Sequence, residues 1–134
     1  MALIDAGYSD TPPSFDIQAV QAGDAAEMVT RLTAAIAASP QSIADLQMAG
    51  AGAGPLWEAW LVRADTDVSI TVDPAAARVV AAVAGNPTEA RLLLSQRLAA
   101  LNAVTVIAQV NKVVVAGGGV GPTYMAIALV SLPI

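Results

Sequence analysis

The sequence predicts an α+β fold: an antiparallel sheet made from two hairpins, with helices packed on one face and an extended N-terminal arm in front. Three observations carry this prediction. Val-rich stretches at 68–72 and 104–116 alternate or run long enough for strands. Asp24 with Glu27, and Asn86-Pro87-Thr88 with Glu89, are helix-start devices: a capping side chain followed three residues later by a glutamate. Gly/Pro-rich breaks at 50–55 and 117–122 stand where the chain must reverse. The length of 134 residues suits one compact domain with a real core.

Residues 1–23 hold Gly7, Pro12, Pro13 and Gly23 among isolated Tyr8, Phe15 and Ile17, which reads as an extended arm with anchor side chains. A helix is expected over about 25–38, with Ala25, Val29, Leu32 and Ile36 on one face. Ser39-Pro40 stops it, and a short second helix carrying Ile43 and Leu46 completes an N-terminal helical segment over 24–49. Residues 50–55 then form a Gly/Pro linker to an α+β body over 56–134. That body should begin with a strand over 56–64, placing Trp57 and Trp60 on opposite faces. Asp65-Thr66-Asp67 is a turn, and Val68, Ile70 and Val72 make a half-buried strand. Asp73-Pro74 predicts a helix that ends at Gly85, followed by another to about Asn102 with Ala90, Leu93, Leu94, Leu98 and Leu101 in its stripe. Strands over 104–116 and 123–132 close the chain as a hairpin.

The chemistry that the composition excludes is extensive. With no Cys and no His, the chain lacks thiolate and imidazole nucleophiles, bases and metal ligands. The loop at 117–122 lacks the Gly-Lys-Ser/Thr ending of a phosphate loop, and the 50–54 stretch follows a predicted helix where a dinucleotide fingerprint needs a strand. Asp65, Asp67 and Asp73 lack the glutamate and glycine of a calcium loop. No Ser-x-x-Lys or Gly-x-Ser-x-Gly spacing occurs. The expectation is therefore no enzyme, no cofactor and no metal. Six Lys+Arg against eleven Asp+Glu argue against nucleic acid as a partner. The uncharged run from Val113 to Ile134 is broken by glycines and Pro122, so a membrane-spanning helix is not expected either.

The balance of surface and core points to assembly. Hydrophobic residues are 56% of the chain, charged ones only 13%, and 30 positions are alanine. Such a chain has little polar surface to spare, and its surplus apolar surface should meet other subunits. Charge is also segregated: residues 1–30 carry five acids and no base, whereas Arg91, Arg97 and Lys112 follow Glu89 with no further acid. These ends can attract one another within a chain or between neighbours. The interface candidates are Tyr8, Phe15, Ile17, Arg91, Arg97, Lys112 and Ile134.

An arm over Met1–Gly23 followed by a compact α+β body resembles small bacteriophage virion proteins, head decoration (cement) proteins in particular. The resemblance implies a non-catalytic homo-oligomer located in a virion, contacting a major capsid protein or other shell component and reinforcing it. Tail and head–tail connector subunits share the same layout. The alternative from the residues alone is a cytoplasmic module that binds a small ligand or peptide beside Trp57 and Trp60.

Overall fold

Two helices and six strands make up the described part of the structure, a computed structural model covering residues 15–50, 56–64, 72–118 and 123–133. In chain order they are β1 (Phe15–Ala22), α1 (Ala25–Ala37), β2 (Ser42–Gly50), β3 (Trp57–Ala64), β4 (Ala77–Ala84), α2 (Pro87–Val104), β5 (Gln109–Gly118) and β6 (Thr123–Ser131). The fold is α+β, with antiparallel sheets, as predicted. Its strands divide between two three-stranded sheets, ordered β1-β3-β2 and β4-β6-β5.

Both helices start as their sequences dictate. The Asp24 side chain accepts from the Glu27 N–H at 2.8 Å, and the Glu27 carboxylate accepts from the Gly23 N–H at 2.8 Å. The Asn86 side chain likewise accepts from the Glu89 N–H at 2.8 Å, with Pro87 in the first turn. Three predicted elements differ. Residues 42–50 are strand β2, where a short helix was expected, because Ile43 and Leu46 are buried in a ladder with β3. The 74–85 helix is instead a turn at Pro74–Ala76 and then β4. The Asp73 carboxylate caps only that turn, accepting from the Ala75 N–H at 2.9 Å. Finally, 15–22 of the expected arm is β1, paired along its whole length with β3. Residues 1–14 and the 65–71 segment lie outside the described residues, although Val72 exchanges two backbone hydrogen bonds with Ile43. Gly50 and Trp57 pair across β2 and β3, so the 51–55 stretch joins paired strands and does not separate two parts of the chain.

The two sheets pack face to face, β2 against β5, with α1 wedged between β1 and β4 and α2 on the outer face of the second sheet. Met28, Leu32 and Ile36 of α1 are buried against Val20, Leu46 and Leu61 of the first sheet, and against Val79, Ile127 and Leu129 of the second. Burying each such side chain stabilises by about 1.5–3 kcal/mol. The α2 helix lies on the far face of the second sheet, with Ala90 and Leu94 over Ala82, Ala126 and Ala128. Strand β6 is thus buried on both faces from Met125 to Val130. Methyl groups on that second face let α2 approach closely, at the cost of little area per residue.

The chain is built as an internal duplication. Each half reads strand, helix, strand, strand, and in each the last strand is central. Ala22-Gly23-Asp24-Ala25-Ala26-Glu27 returns as Ala84-Gly85-Asn86-Pro87-Thr88-Glu89, and the run from Ala49 to Trp57 (AGAGAGPLW) returns from Ala116 to Tyr124 (AGGGVGPTY). The halves align with a shift of 62 residues before the helices and 67 after them, and the difference equals the excess of the 18-residue α2 over the 13-residue α1. Even the irregularities correspond: β2 is bulged between Ile43 and Asp45, β5 between Val110 and Lys112.

Candidate interaction surfaces

The two halves meet without a twofold axis. The buried stripe of α1 touches a strand of each sheet, β1 and β4, whereas among the described residues α2 packs on one sheet only. Where β2 approaches β5, corresponding residues face each other. A Cβ added to Gly50 would lie 2.5 Å from the Gly117 carbonyl oxygen, and one added to Gly118 would lie 3.1 Å from the Gly50 Cα. Backbone-to-backbone approach of this kind is what these glycines permit. Trp57 closes the same junction, buried, with Nε1 donating to the Ala116 carbonyl at 3.1 Å. Further along, Lys112 Nζ is 3.0 Å from Asp45 Oδ1. Burial pushes the Asp45 carboxyl up, but hydrogen bonds from Gln47, Lys112 and the Leu46 N–H outweigh it and hold the group below its ordinary 3.8.

Among the described residues, no helix packs on one face of the first sheet. Its side chains are Ile17 beside Val62, Ala19 beside Trp60, and Gln21 beside Glu58. Phe15, Ile17 and Trp60 are about half exposed there. Glu58 is held in place by Gln21 Nε2 at 2.8 Å and Trp60 Nε1 at 2.5 Å, and these two donors keep its carboxyl below the ordinary glutamate value. Trp60 and Glu58 also border a shallow cleft of about 480 Å³ with Gln47, Met48 and Gly50.

A second apolar area lies on the opposite side of the molecule. The α2 helix covers β4 and β6 but leaves Val110, Val113 and Val115 of β5 half exposed. Arg91 and Leu94 of α2, with Val113 and Val115, line an open cleft of about 280 Å³. The outward residues of α2 are mostly uncharged, with Leu92, Ser95, Gln96 and Ala99 all exposed. A wholly solvated helix face would carry more charge.

The interface candidates divide accordingly. Phe15 and Ile17 are on the open sheet face, and Arg91 is exposed on α2. Arg97 and Lys112 are used within the chain, Arg97 donating to the Ala81 carbonyl and Lys112 pairing with Asp45. Tyr8 and Ile134 fall outside the described residues. Trp57 and Trp60 do lie on opposite faces, so they cannot jointly sandwich a ligand. Sequence reasoning missed Trp60's neighbours Val62 and Glu58, and missed Val110, Val113 and Val115 altogether. The repeated AGxGxGPx(W/Y) motif was the signal that could have found them, because it sets the two halves in register. Among the described residues no group of three or more acidic side chains could hold a metal ion, and no helix is long and apolar enough to cross a membrane. Comparison with protein families, curated proteins and solved structures gave no match.

Proposed function

We propose that this protein is a non-catalytic structural subunit that works by self-association, and that it serves in a virus particle as a shell-reinforcing component. One observation carries the assembly part: two separate strand surfaces, one around Ile17 and Trp60 and the other around Val113 and Val115, present apolar side chains to solvent. Exposed apolar area in two patches on a small chain marks contact surface. The virion part rests on the resemblance of the whole chain to head decoration proteins, with tail or connector subunits as neighbouring options in the same class. Size-exclusion chromatography with light scattering tests the assembly part. A concentration-dependent oligomer is expected, and a monomer throughout would remove it. Peptides of this chain in purified particles would support the virion part, and their absence from every particle fraction would defeat it.

A second reading is favoured by the cleft beside Trp60, which is wide enough for a short peptide or small ligand. A stable monomer whose Trp60 fluorescence is quenched saturably by a ligand would establish that reading instead.

A further inference from the structure

We propose that copies of this chain join head to tail: the surface formed by α2 and β5 of one copy sits on the open face of the first sheet of the next. This contact repeats between copies the packing that joins the two halves within one copy, and it rests on the self-association reading above.

The duplication supplies the argument. Within the chain, the first half offers α1 together with Ile43, Leu46 and Met48 of β2; α1 lies against β4 and β2 against β5, in one core with Val79, Val114, Ala116, Ile127 and Leu129 of the second half. Shifting the offered residues by 67 positions turns Ile43, Leu46 and Met48 into Val110, Val113 and Val115. Ile43 and Leu46 are each 1% exposed, whereas Val110 and Val113 are 49% and 55% exposed. Shifting the receiving residues back turns Val79, Ile127 and Leu129 into Ile17, Trp60 and Val62, and Val114 and Ala116 into Gln47 and Ala49. Ile17 and Trp60 are 58% and 47% exposed where their counterparts are buried. Each half therefore keeps an apolar centre on both surfaces, and among the described residues only one of each is covered. The unused pair is complementary by construction.

The polar exchanges match as well. On the receiving face, Gln21 and Glu58 stand where the second half has Val83 and Met125. On the offered helix, Arg91 stands where α1 has Val29, and Val29 and Val83 line the same cleft within the chain. Positions that are apolar on both sides of the join inside one copy, Val29 and Met125, thus carry opposite charges across two copies, Arg91 and Glu58. Such a pair fixes partner and orientation, while the apolar strands provide most of the affinity. A contact between two different surfaces closes into a ring or runs on as a filament, depending on its rotation.

Two blocked variants test this in the full chain. Val113→Glu with Val115→Glu blocks the offered surface, and Ile17→Glu with Trp60→Glu blocks the receiving one. Each variant alone should run as the 13.5 kDa monomer. An equimolar mixture should give a complex of twice that mass and nothing larger, because one intact contact remains. If the first variant assembles like the unmodified chain, or the mixture stays monomeric, the head-to-tail contact is wrong while self-association stands. If the unmodified chain is itself a monomer, the underlying reading fails too. Where circular dichroism shows that a blocked variant has unfolded, the charge pair decides. Arg91→Glu and Glu58→Arg should each weaken association by roughly two- to five-fold, the range an exposed ion pair supports. Combined in one chain they should restore it, and additive losses would overturn the proposal.

Discussion

Arg63 is the one charged side chain buried among the described residues, at 2% exposure, and its surroundings account for it. One nitrogen donates to the Ala35 carbonyl near the end of α1, another donates to Gln18 Oε1 at 2.8 Å, and Asp16 lies 3.5 Å away. The last turn of α1 has no basic residue of its own, so β3 supplies the cation that the helix terminus favours. Its Nε has no hydrogen-bond partner among the described residues, which leaves part of the burial uncompensated. Arg63→Met should lower stability by about 1.5–3 kcal/mol, the worth of a hydrogen bond to a charged group, as read from urea denaturation. Gly50→Ala meets a carbonyl oxygen rather than a movable side chain, and the resulting overpacking should cost about 1–3 kcal/mol in the same assay. Asp45 gives a pH signature. Its folded carboxyl sits below the ordinary 3.8, so the stabilisation is complete above that value and lost as pH falls through the lower folded one. The stability difference between Asp45→Asn and the unmodified chain should be constant near neutrality and vanish in strong acid. A difference that grew on acidification would contradict the pairing with Lys112.

Helix starts and strand identity separate cleanly in their causes. The caps at Asp24 and Asn86 are local chemistry, legible from four residues each. Asn86→Ala removes the acceptor for the Glu89 N–H and should reduce stability by about 1 kcal/mol, measured as a shift in thermal midpoint. The mistaken helix over 74–85 has a different origin. Strand β4 reads ARVVAAVA and is flanked by α1 on one face and α2 on the other, so its apolar residues neither alternate nor show a helical stripe. A short apolar run rich in alanine is ambiguous by pattern alone. Strand β2 was misread similarly, because a bulge between Ile43 and Asp45 breaks its alternation and puts Ile43 and Leu46 at helical spacing.

Across the whole molecule the duplication decides what is buried. The same strand-helix-strand-strand unit is used twice, and among the described residues the second copy of each apolar surface is left exposed. Lys112 of the basic C-terminal part pairs with Asp45, which lies beyond the acidic residues 1–30, while Asp16 and Glu27 of that stretch pair with Arg63 and Arg31. Association should therefore depend only modestly on ionic strength, since apolar strands dominate the proposed contact and the Arg91–Glu58 pair is exposed. A light-scattering series from low to high salt should show a few-fold change in midpoint concentration. A shift of several orders of magnitude would mean that charge carries the contact.

The α+β class, both helix caps, the extent of α1 and the surplus of apolar residues were determined by the sequence alone, because each depends on neighbours within a few positions or on bulk composition. The duplication was also present there, in two copies of a glycine-rich motif and of a capping box. Only the tertiary structure decided that β2 and β4 are strands, that the sheet is split in two, and that Trp57 is buried while Trp60 is not. Those outcomes depend on which surface lies across from each residue. In a duplicated chain that question has two answers for the same pattern: Leu46 is covered by the second half, and its counterpart Val113 has no such cover among the described residues.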